Sequence, residues 1–422
     1  MSMAQQDPVV QPESAEKPIR PTPLWRNRNF LLLMVGQGIS SAGSQVSQLA
    51  FSLLALALTH SPAQAGLITA ARGLPYALLS LPAGALADRW NRKRVMILCD
   101  AGRAIALASI PIAFALGNLS VIQLYVVSLI EGTLFVFFSM AEVSALPHVV
   151  SKEQIATAAG QGELLYSGSL MVGPSIGGFL YSLSTMLPFL GDAISYGASV
   201  LSLLFIRVQF QQERTTKPQH LWIEVKEGLV WLWHHSLIRF LAILTGGLIT
   251  PCVGYGLILI IRAQEQHAST TAIGFIFAAG GVGSCLGAAL TGPLQRRFGF
   301  ARIIIWSTWI WALTWLFFAI APDPLLLGIL NGLSFAIVPI YMVAQYSYRL
   351  ATIPDHLQGR VNSVFRLVSI GSTPIGLALT GWLLQIIGPI PTVLVLFIPQ
   401  LVLAIAATLN KDVRQARPIE DL

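Results

Sequence analysis

Charge is the first thing this sequence lacks. Of 422 residues only 11% are Asp, Glu, Lys or Arg, as 26 basic and 19 acidic side chains. A soluble globular domain carries about 25%. Hydrophobic residues make up 54%, and mean hydropathy is +0.68. A water-soluble fold is excluded on that ground, and membrane embedding is the default. Strand-like alternation is missing too, which argues against an outer-membrane barrel. Cysteine is scarce: Cys99, Cys252 and Cys285 stand singly in apolar surroundings, with no CxxC and no histidine at metal spacing. That pattern supports neither a disulfide framework nor a zinc site, and no metal is expected. There is no GxxxxGK[ST] loop and no HExxH helix, so neither direct ATP use nor zinc hydrolysis is indicated. The chain reads as no enzyme, with no cofactor. The opening "MSMAQQDPVVQPESAEKPIRP" has no apolar signal-peptide core. Residues 1–24 read as a disordered cytoplasmic tail.

What is present is a series of long apolar runs. A helix needs about 20 apolar residues to cross a bilayer core. Twelve such spans fall near 30–58, 63–87, 95–117, 120–146, 154–181, 185–206, 240–261, 271–294, 303–321, 324–347, 361–387 and 390–409. Net charge is +7. With the amino terminus inside, the basic residues outside the spans lie on the cytoplasmic side, and only Arg262 falls opposite. The positive-inside rule then puts both termini in the cytoplasm. The basic balance reads as loop charge near anionic lipid, and no nucleic-acid partner is expected. The spans divide into an amino-terminal half, 25–206, and a carboxy-terminal half, 240–409. Between them lies a cytoplasmic loop, 207–239, whose "WIEVKEGLVWLWHHSLIR" reads as an amphipathic helix on the membrane surface. Residues 410–422 form a cytoplasmic tail.

The tight turn "GALADRWNRKRV" carries five charges in seven positions: Asp88, Arg89, Arg92, Lys93 and Arg94. It has a copy. "GPLQRRFGFAR" from Gly292 occupies the same place between the second and third spans of the second half, pairing Arg94 with Arg302. "SMAEVS" from Ser139 likewise aligns with "MVAQYS" from Met342, so Glu142 corresponds to Gln345. Like-oriented halves of this kind are one way transporters build a central site.

At these residues the chain resembles the major facilitator superfamily. Gly84, Leu86, Asp88, Arg89, Arg92, Lys93 and Arg94 match its motif A, with Asn91 for the second glycine. Asn tolerates the left-handed conformation expected there. Gly160, Gly173, Pro174, Gly177 and Gly178 match the antiporter motif C, with Ser169 for one glycine. "LWRNRNFLLLMVGQGISSAG", "CDAGRA" and "IPDHLQGRVNSV" are similar to the third drug:proton antiporter group, which includes macrolide-efflux and enterobactin-exporter-like proteins. The resemblance implies an all-α membrane fold of twelve transmembrane helices in two pseudo-symmetric halves. It implies that Asp88 ties the halves together near Val361, with Arg89 and Arg92 pairing to Asp100 and Glu142. It also implies a seal or hinge at motif C. The alternatives are orientation and lipid binding for the basic turn, and plain close packing for the small residues.

Ionisable groups within spans are costly and point to function. Here they are Arg72, Glu131, Glu163 and Asp192. Glu131, then Glu163, are the leading candidates for proton coupling or cation recognition, with Asp192 third. Pairing with Arg72 or with a hydroxyl is the structural alternative. In the resembling fold, spans one, four, seven and ten line the cavity. Gln37, Gln45, Tyr255, Asn331 and Tyr341 are then candidates to contact a bulky amphipathic substrate. The expected protein is a monomeric multi-pass transporter of the plasma (inner) membrane. It would export a hydrophobic small molecule against protons. A narrow siderophore or metabolite exporter, a lipid transporter and a non-transporting membrane regulator are the alternatives.

Overall fold

A computed structural model describes residues 23–87, 90–151, 154–208, 210, 221–354 and 357–416. Asp88, Arg89 and residues 1–22 lie outside that set, and so do the side chains of Gly84 and Glu163. In hydrocarbon every backbone group must be paired within its own segment, and the chain meets this with helices. After a short turn at Leu24–Arg26 come α1 (Arg28–Thr59), α2 (Pro62–Ala87), α3 (Arg92–Ala115), α4 (Val121–Val149), α5 (Ile155–Leu183) and α6 (Leu187–Phe205). Then follow α7 (Leu221–His234), α8 (Ser236–Cys252), α9 (Tyr255–Glu265), α10 (Thr270–Ile320) and α11 (Pro324–Thr352). The last are α12 (Gln358–Ile370), α13 (Thr373–Ile387), α14 (Pro389–Leu409) and α15 (Lys411–Arg414). Among the described residues, nine helical stretches are long and apolar enough to cross a membrane. One of them is the 51-residue α10, which Gly299 breaks at φ +69° and ψ 168°.

Local chemistry fixes where several helices begin. Asn27, Asn91, Ser120, Ser269 and Asp323 each accept a hydrogen bond from the backbone N–H three residues on. Such caps satisfy donors that the helix itself leaves free. Asn91 departs from expectation here. Its φ of −65° and ψ of 106° make it an extended cap of α3, not a left-handed turn residue. The left-handed position survives in the second copy: Gly299 stands before Arg302 as Asn91 stands before Arg94.

The amphipathic segment also differs. α7 is helical, but it docks on α12, with Leu232 buried and Glu227 paired to Arg360. A Cβ at Gly228 would lie 2.7 Å from the Arg360 carbonyl. Protein contact, in addition to any membrane surface, therefore shapes that face.

Helices α1 to α6 pack mainly among themselves, as do α8 to α14. Among the described residues, two main crossings join the sets, α5 on α10 and α2 on α13. Each depends on missing side chains. A Cβ at Gly66 would lie 2.8 Å from Gly381 Cα, and one at Gly274 2.8 Å from the Pro174 carbonyl. The hydrophobic cores follow this arrangement. At the end holding Ser61, Ser182, Thr271 and Gln385, one core takes side chains from both sets, from Leu54 and Phe189 to Trp315 and Leu384. At the other end the cores are separate, one around Met96 and Phe138, the other around Ile304 and Phe365.

Gly299→Val should lower stability by about 1–2 kcal/mol, because a β-branched residue is strained at positive φ. Gly160→Ala, with no atom within 4 Å of the new Cβ, should not. Denaturant unfolding in detergent micelles distinguishes the two.

Candidate functional site

The first set of helices encloses a cluster of charges. Glu131 on α4 is fully buried. Arg72 of α2 donates from Nη2 to Glu131 Oε1 at 2.5 Å. Arg103 of α3 donates to the same oxygen at 3.4 Å, and the Tyr196 hydroxyl of α6 does so at 3.2 Å. Ser44 of α1 hydrogen-bonds Tyr196 at 2.8 Å. Arg103 also lies 3.5 Å from Asp100 Oδ1 and 4.1 Å from the Tyr196 ring centroid. Asp100 Oδ2 accepts from Ser199 Oγ at 2.6 Å. A guanidinium suits this place, since its fork of donors reaches two carboxylates and a ring face together.

Asp192 on α6 belongs to the same group yet is held differently. It is fully buried. Its oxygens meet Ser47 Oγ at 2.5 Å and Ser195 Oγ at 3.1 Å, and no cation lies within ion-pair distance among the described residues. A hydroxyl can donate to a carboxylate or accept from a carboxylic acid, so this site can hold either form. Gly43 opens the room: a Cβ there would lie 2.6 Å from Asp192 Oδ1. The cluster thus has three fully buried carboxyl groups and two guanidinium groups, with the half-buried Glu142 beside Asp100 and Arg103 as a further acid.

Arg103 was not among the expected intramembrane charges. It lies inside "CDAGRA", three residues after Asp100, a spacing that places both on one helix face. That signal was available in the sequence. Asp100 is held by Arg103 and Ser199, where Arg89 and Arg92 had been expected. Arg92 donates instead to the Phe210 carbonyl at 3.0 Å, and Lys93 to the Ile206 carbonyl at 2.6 Å. Lys93 thereby places positive charge at the carboxy-terminal end of α6, where free carbonyls favour it, and Arg92 holds the segment that follows. The Arg94 backbone N–H is capped by Asn91. Glu142 is half-buried on α4.

Motif C has two working faces. Gly173 and Gly177 let α5 approach α1, against Gln45 and the Val46 carbonyl. Gly178 and Pro174 face α10, where a Cβ at Gly178 would lie 2.5 Å from the Thr270 carbonyl. Ser169 is buried and bonds back to the Leu165 carbonyl at 2.9 Å. Gly160 touches nothing within 4 Å of a Cβ. Residues 173–177 also spell GxSxG. Ser175, however, is mid-helix and donates to the Gly274 carbonyl at 3.4 Å, a helix contact and not a nucleophile elbow.

The substrate candidates separate. Gln37 is half-buried with Nε2 unpartnered, and Gln45 packs on Gly173. Tyr341 is fully buried and bonds Thr245 at 2.8 Å, while Asn331 donates to the Ile276 carbonyl at 2.7 Å. These last two join helices. Tyr255 is buried, with its hydroxyl unpartnered by any well-formed hydrogen bond.

The family described as transmembrane secretion effector matches residues 21–420. The chain belongs to this family of the major facilitator superfamily. As a family member it is a multi-pass membrane protein. It is 26% identical over 405 residues to the multidrug efflux pump Tap of Mycolicibacterium fortuitum, covering 92% of this chain and 96% of Tap. It is 25% identical over 342 residues to the enterobactin exporter EntS of Escherichia coli O1:K1 / APEC, covering 79% and 80%. Its fold matches the nucleoside transporter NupG (D323A mutant) with a TM-score of 0.74 at 14% identity, over 90% of this chain and 98% of NupG.

In this superfamily member the buried ions are mutually dependent. Removing one partner of a buried pair costs about 3–5 kcal/mol. Arg103→Leu should therefore destabilise by about 3 kcal/mol, and adding Asp100→Leu should recover part of the loss by removing the orphaned acid. Unfolding of the single and double variants in mixed micelles checks this.

Proposed function

We propose that the chain is a secondary transporter that exports a hydrophobic or amphipathic small molecule by proton antiport. The observation that carries this reading is Asp192, a fully buried carboxyl held by hydroxyls with no guanidinium in ion-pair range among the described residues. Glu131 accepts from two guanidinium groups, whereas Asp192 has only hydroxyl partners. A lone ionised carboxylate in hydrocarbon is costly, so this is where a proton would be taken up and released. Tyr196 and Ser44 link the two acids' surroundings through hydrogen bonds. Protonation of Asp192 would change the charge balance that Arg103 and Arg72 must meet. Export is supported by the likeness to Tap and EntS. The EntS likeness also favours a second reading, a narrow exporter of a siderophore-like metabolite. The first reading is preferred because the likeness to Tap spans more of the chain.

The proposed frame is twelve spans with both termini in the cytoplasm of the plasma membrane. α8 with α9, and α12 with α13, each count as one span, and α10 as two. The positive-inside distribution supports this orientation. On that orientation the shared core lies at the outer end and the separated cores at the cytoplasmic end, a cytoplasm-open state. Asp88 is proposed to close that end by binding backbone N–H groups near Val361 when the halves rock together. Motif C, gripping α10 through Gly178 and Pro174, is proposed as the pivot.

Everted vesicles with a pH-sensitive dye test the coupling, with macrolides, dyes and catecholate siderophores as additions. Proton release on addition is expected, and its loss in both Asp192→Asn and Glu131→Gln at equal protein level. An unchanged response in both variants would exclude the cluster as the coupling site. Asp88→Asn should cut the transport rate severalfold while membrane insertion stays normal. Full transport by that variant would remove the gating role.

A further inference from the structure

The ionic cluster has a twin. The two copies of the repeat start in register, with α1, α3 and α4 beginning at Arg28, Arg92 and Val121 as α8, the later part of α10 and α11 begin at Ser236, Phe300 and Pro324. Carried along those helices, Ser44 and Ser47 correspond to Cys252 and Tyr255, Arg103 to Trp311, and Glu131 to Ser334. Even the tie from the sixth helix recurs. Tyr196 bonds Ser44, and Gln400 of α14 reaches Cys252 Sγ at 3.7 Å. At the place where one copy holds charges, the other has a cavity. Cys252, Tyr255, Trp311, Trp315, Ser334 and Phe335 line it. The cavity holds about 60 Å³, several times what one water needs.

Resting on the exporter reading, we propose that this cavity is a subsite for one neutral, planar ring bearing a hydrogen-bonding group, such as the phenolic or amide-bearing ring of an exported molecule. Size limits the occupant to a single ring. Aromatic side chains supply flat walls. Tyr255 and Ser334 are at most 8% exposed, and the two hydroxyls are neighbours. Neither hydroxyl makes a well-formed hydrogen bond to the protein, and Gln400 Oε1 is unpartnered as well. Buried polar groups left so cost about 1–3 kcal/mol each. A ligand with a donor and an acceptor on its edge removes that cost. No acid or base lines the cavity, so a charged ligand would lose its hydration without a counter-charge. The indole N–H groups of Trp311 and Trp315 turn toward the Cys252 sulfur, so the tryptophans offer the ligand ring surface and no free donor.

The backbone points the same way. α8 stops at Cys252 and α9 restarts at Tyr255, so the break in this membrane stretch falls at the cavity wall. α12 and α13 break opposite, and Thr250 of the first break bonds Ser372 of the second at 2.5 Å. Irregular backbone at membrane depth is tolerated where it is buried or lines a cavity, and discontinuous helices hold the ligand sites of many transporters.

Binding of 4-fluorophenol to the purified full chain in detergent, read by fluorine NMR line broadening, tests this without any ion gradient. Fluorobenzene is the comparison ligand. Wild type should bind the phenol several-fold more tightly than fluorobenzene. Tyr255→Phe should narrow that preference by about two- to tenfold, the value of one hydrogen bond. Ser334→Leu should abolish binding of both, and Ser334→Ala, which leaves the cavity open, should keep fluorobenzene binding. Equal broadening by both ligands in wild type, or binding undiminished in Ser334→Leu, would overturn the proposal and mark the cavity as filled by water alone. Asp192→Asn should bind the phenol normally, so a failed coupling reading and a failed subsite give different results.

Discussion

The structure depends on one oxygen atom, Oε1 of Glu131, and on the rule that a charge in hydrocarbon must be matched. Three donors from three helices converge on it: Arg72 from α2, Arg103 from α3 and Tyr196 from α6. No apolar packing could set four helices against one another with such angular definition. Arg103 extends the constraint to Asp100, and Asp100 to Ser199. The result is a rigid core of ions in which one further acid, Asp192, is left to hydroxyl groups. Rigidity and surplus are linked. Only because the other charges are fixed in pairs does the state of the third carboxyl matter to the whole set.

The two copies of the repeat use the same position for different chemistry. A duplicated bundle inherits a place where the first, third, fourth and sixth helices converge. In one copy the place is occupied by Arg103 and Glu131, in the other by Trp311 and Ser334. Polar walls need partners, and ion pairs supply them internally. The aromatic copy leaves the Tyr255 and Ser334 hydroxyls and Gln400 Oε1 without good partners. A symmetric protein would have a charge site twice or a ligand site twice. The two copies thus hold different chemistry at corresponding places on the two sides of the interface between the sets.

Much of this was legible in the sequence, for identifiable reasons. Hydropathy placed the helices because bilayer thickness fixes their length, and helices α1 to α6 lie within a few residues of the expected spans. The Arg72–Glu131 pair was visible as a structural alternative because each was a lone charge in a greasy span. Arg103 carries the same signal, since "CDAGRA" sets it three residues after Asp100 on one helix face inside an apolar span. The rest needed coordinates. That Asn91 caps while Gly299 turns depends on backbone angles that both residues permit. That Tyr341 and Asn331 face inward toward neighbouring helices depends on rotation about the helix axis, which a span that is apolar all round does not encode. α7 was read as lying on the membrane, since amphipathicity does not say whether lipid or protein covers the apolar face.

The cores give the last step. A core shared by both sets at one end and divided at the other is the packing of two rigid bodies hinged at one edge. Lipid offers no hydrophobic penalty for separating helices, so contact between the sets must come from close backbone approach. Gly66 with Gly381, and Gly178 with Gly274, supply it along both crossings. These contacts are mostly backbone to backbone, with Met171 seated on Gly281 between α5 and α10 and the shared core beside them. The ion pairs constrain the first set: parting Arg72 from Glu131 would leave a guanidinium without its carboxylate, so any relative motion of the two sets would fall at the glycine seams and spare the cluster. Any coupling of a proton to transport in this chain has to pass from the fixed cluster to those seams. The path is short, since α1 carries Ser47 to Asp192 and, one residue away, Val46 to Gly177 of motif C.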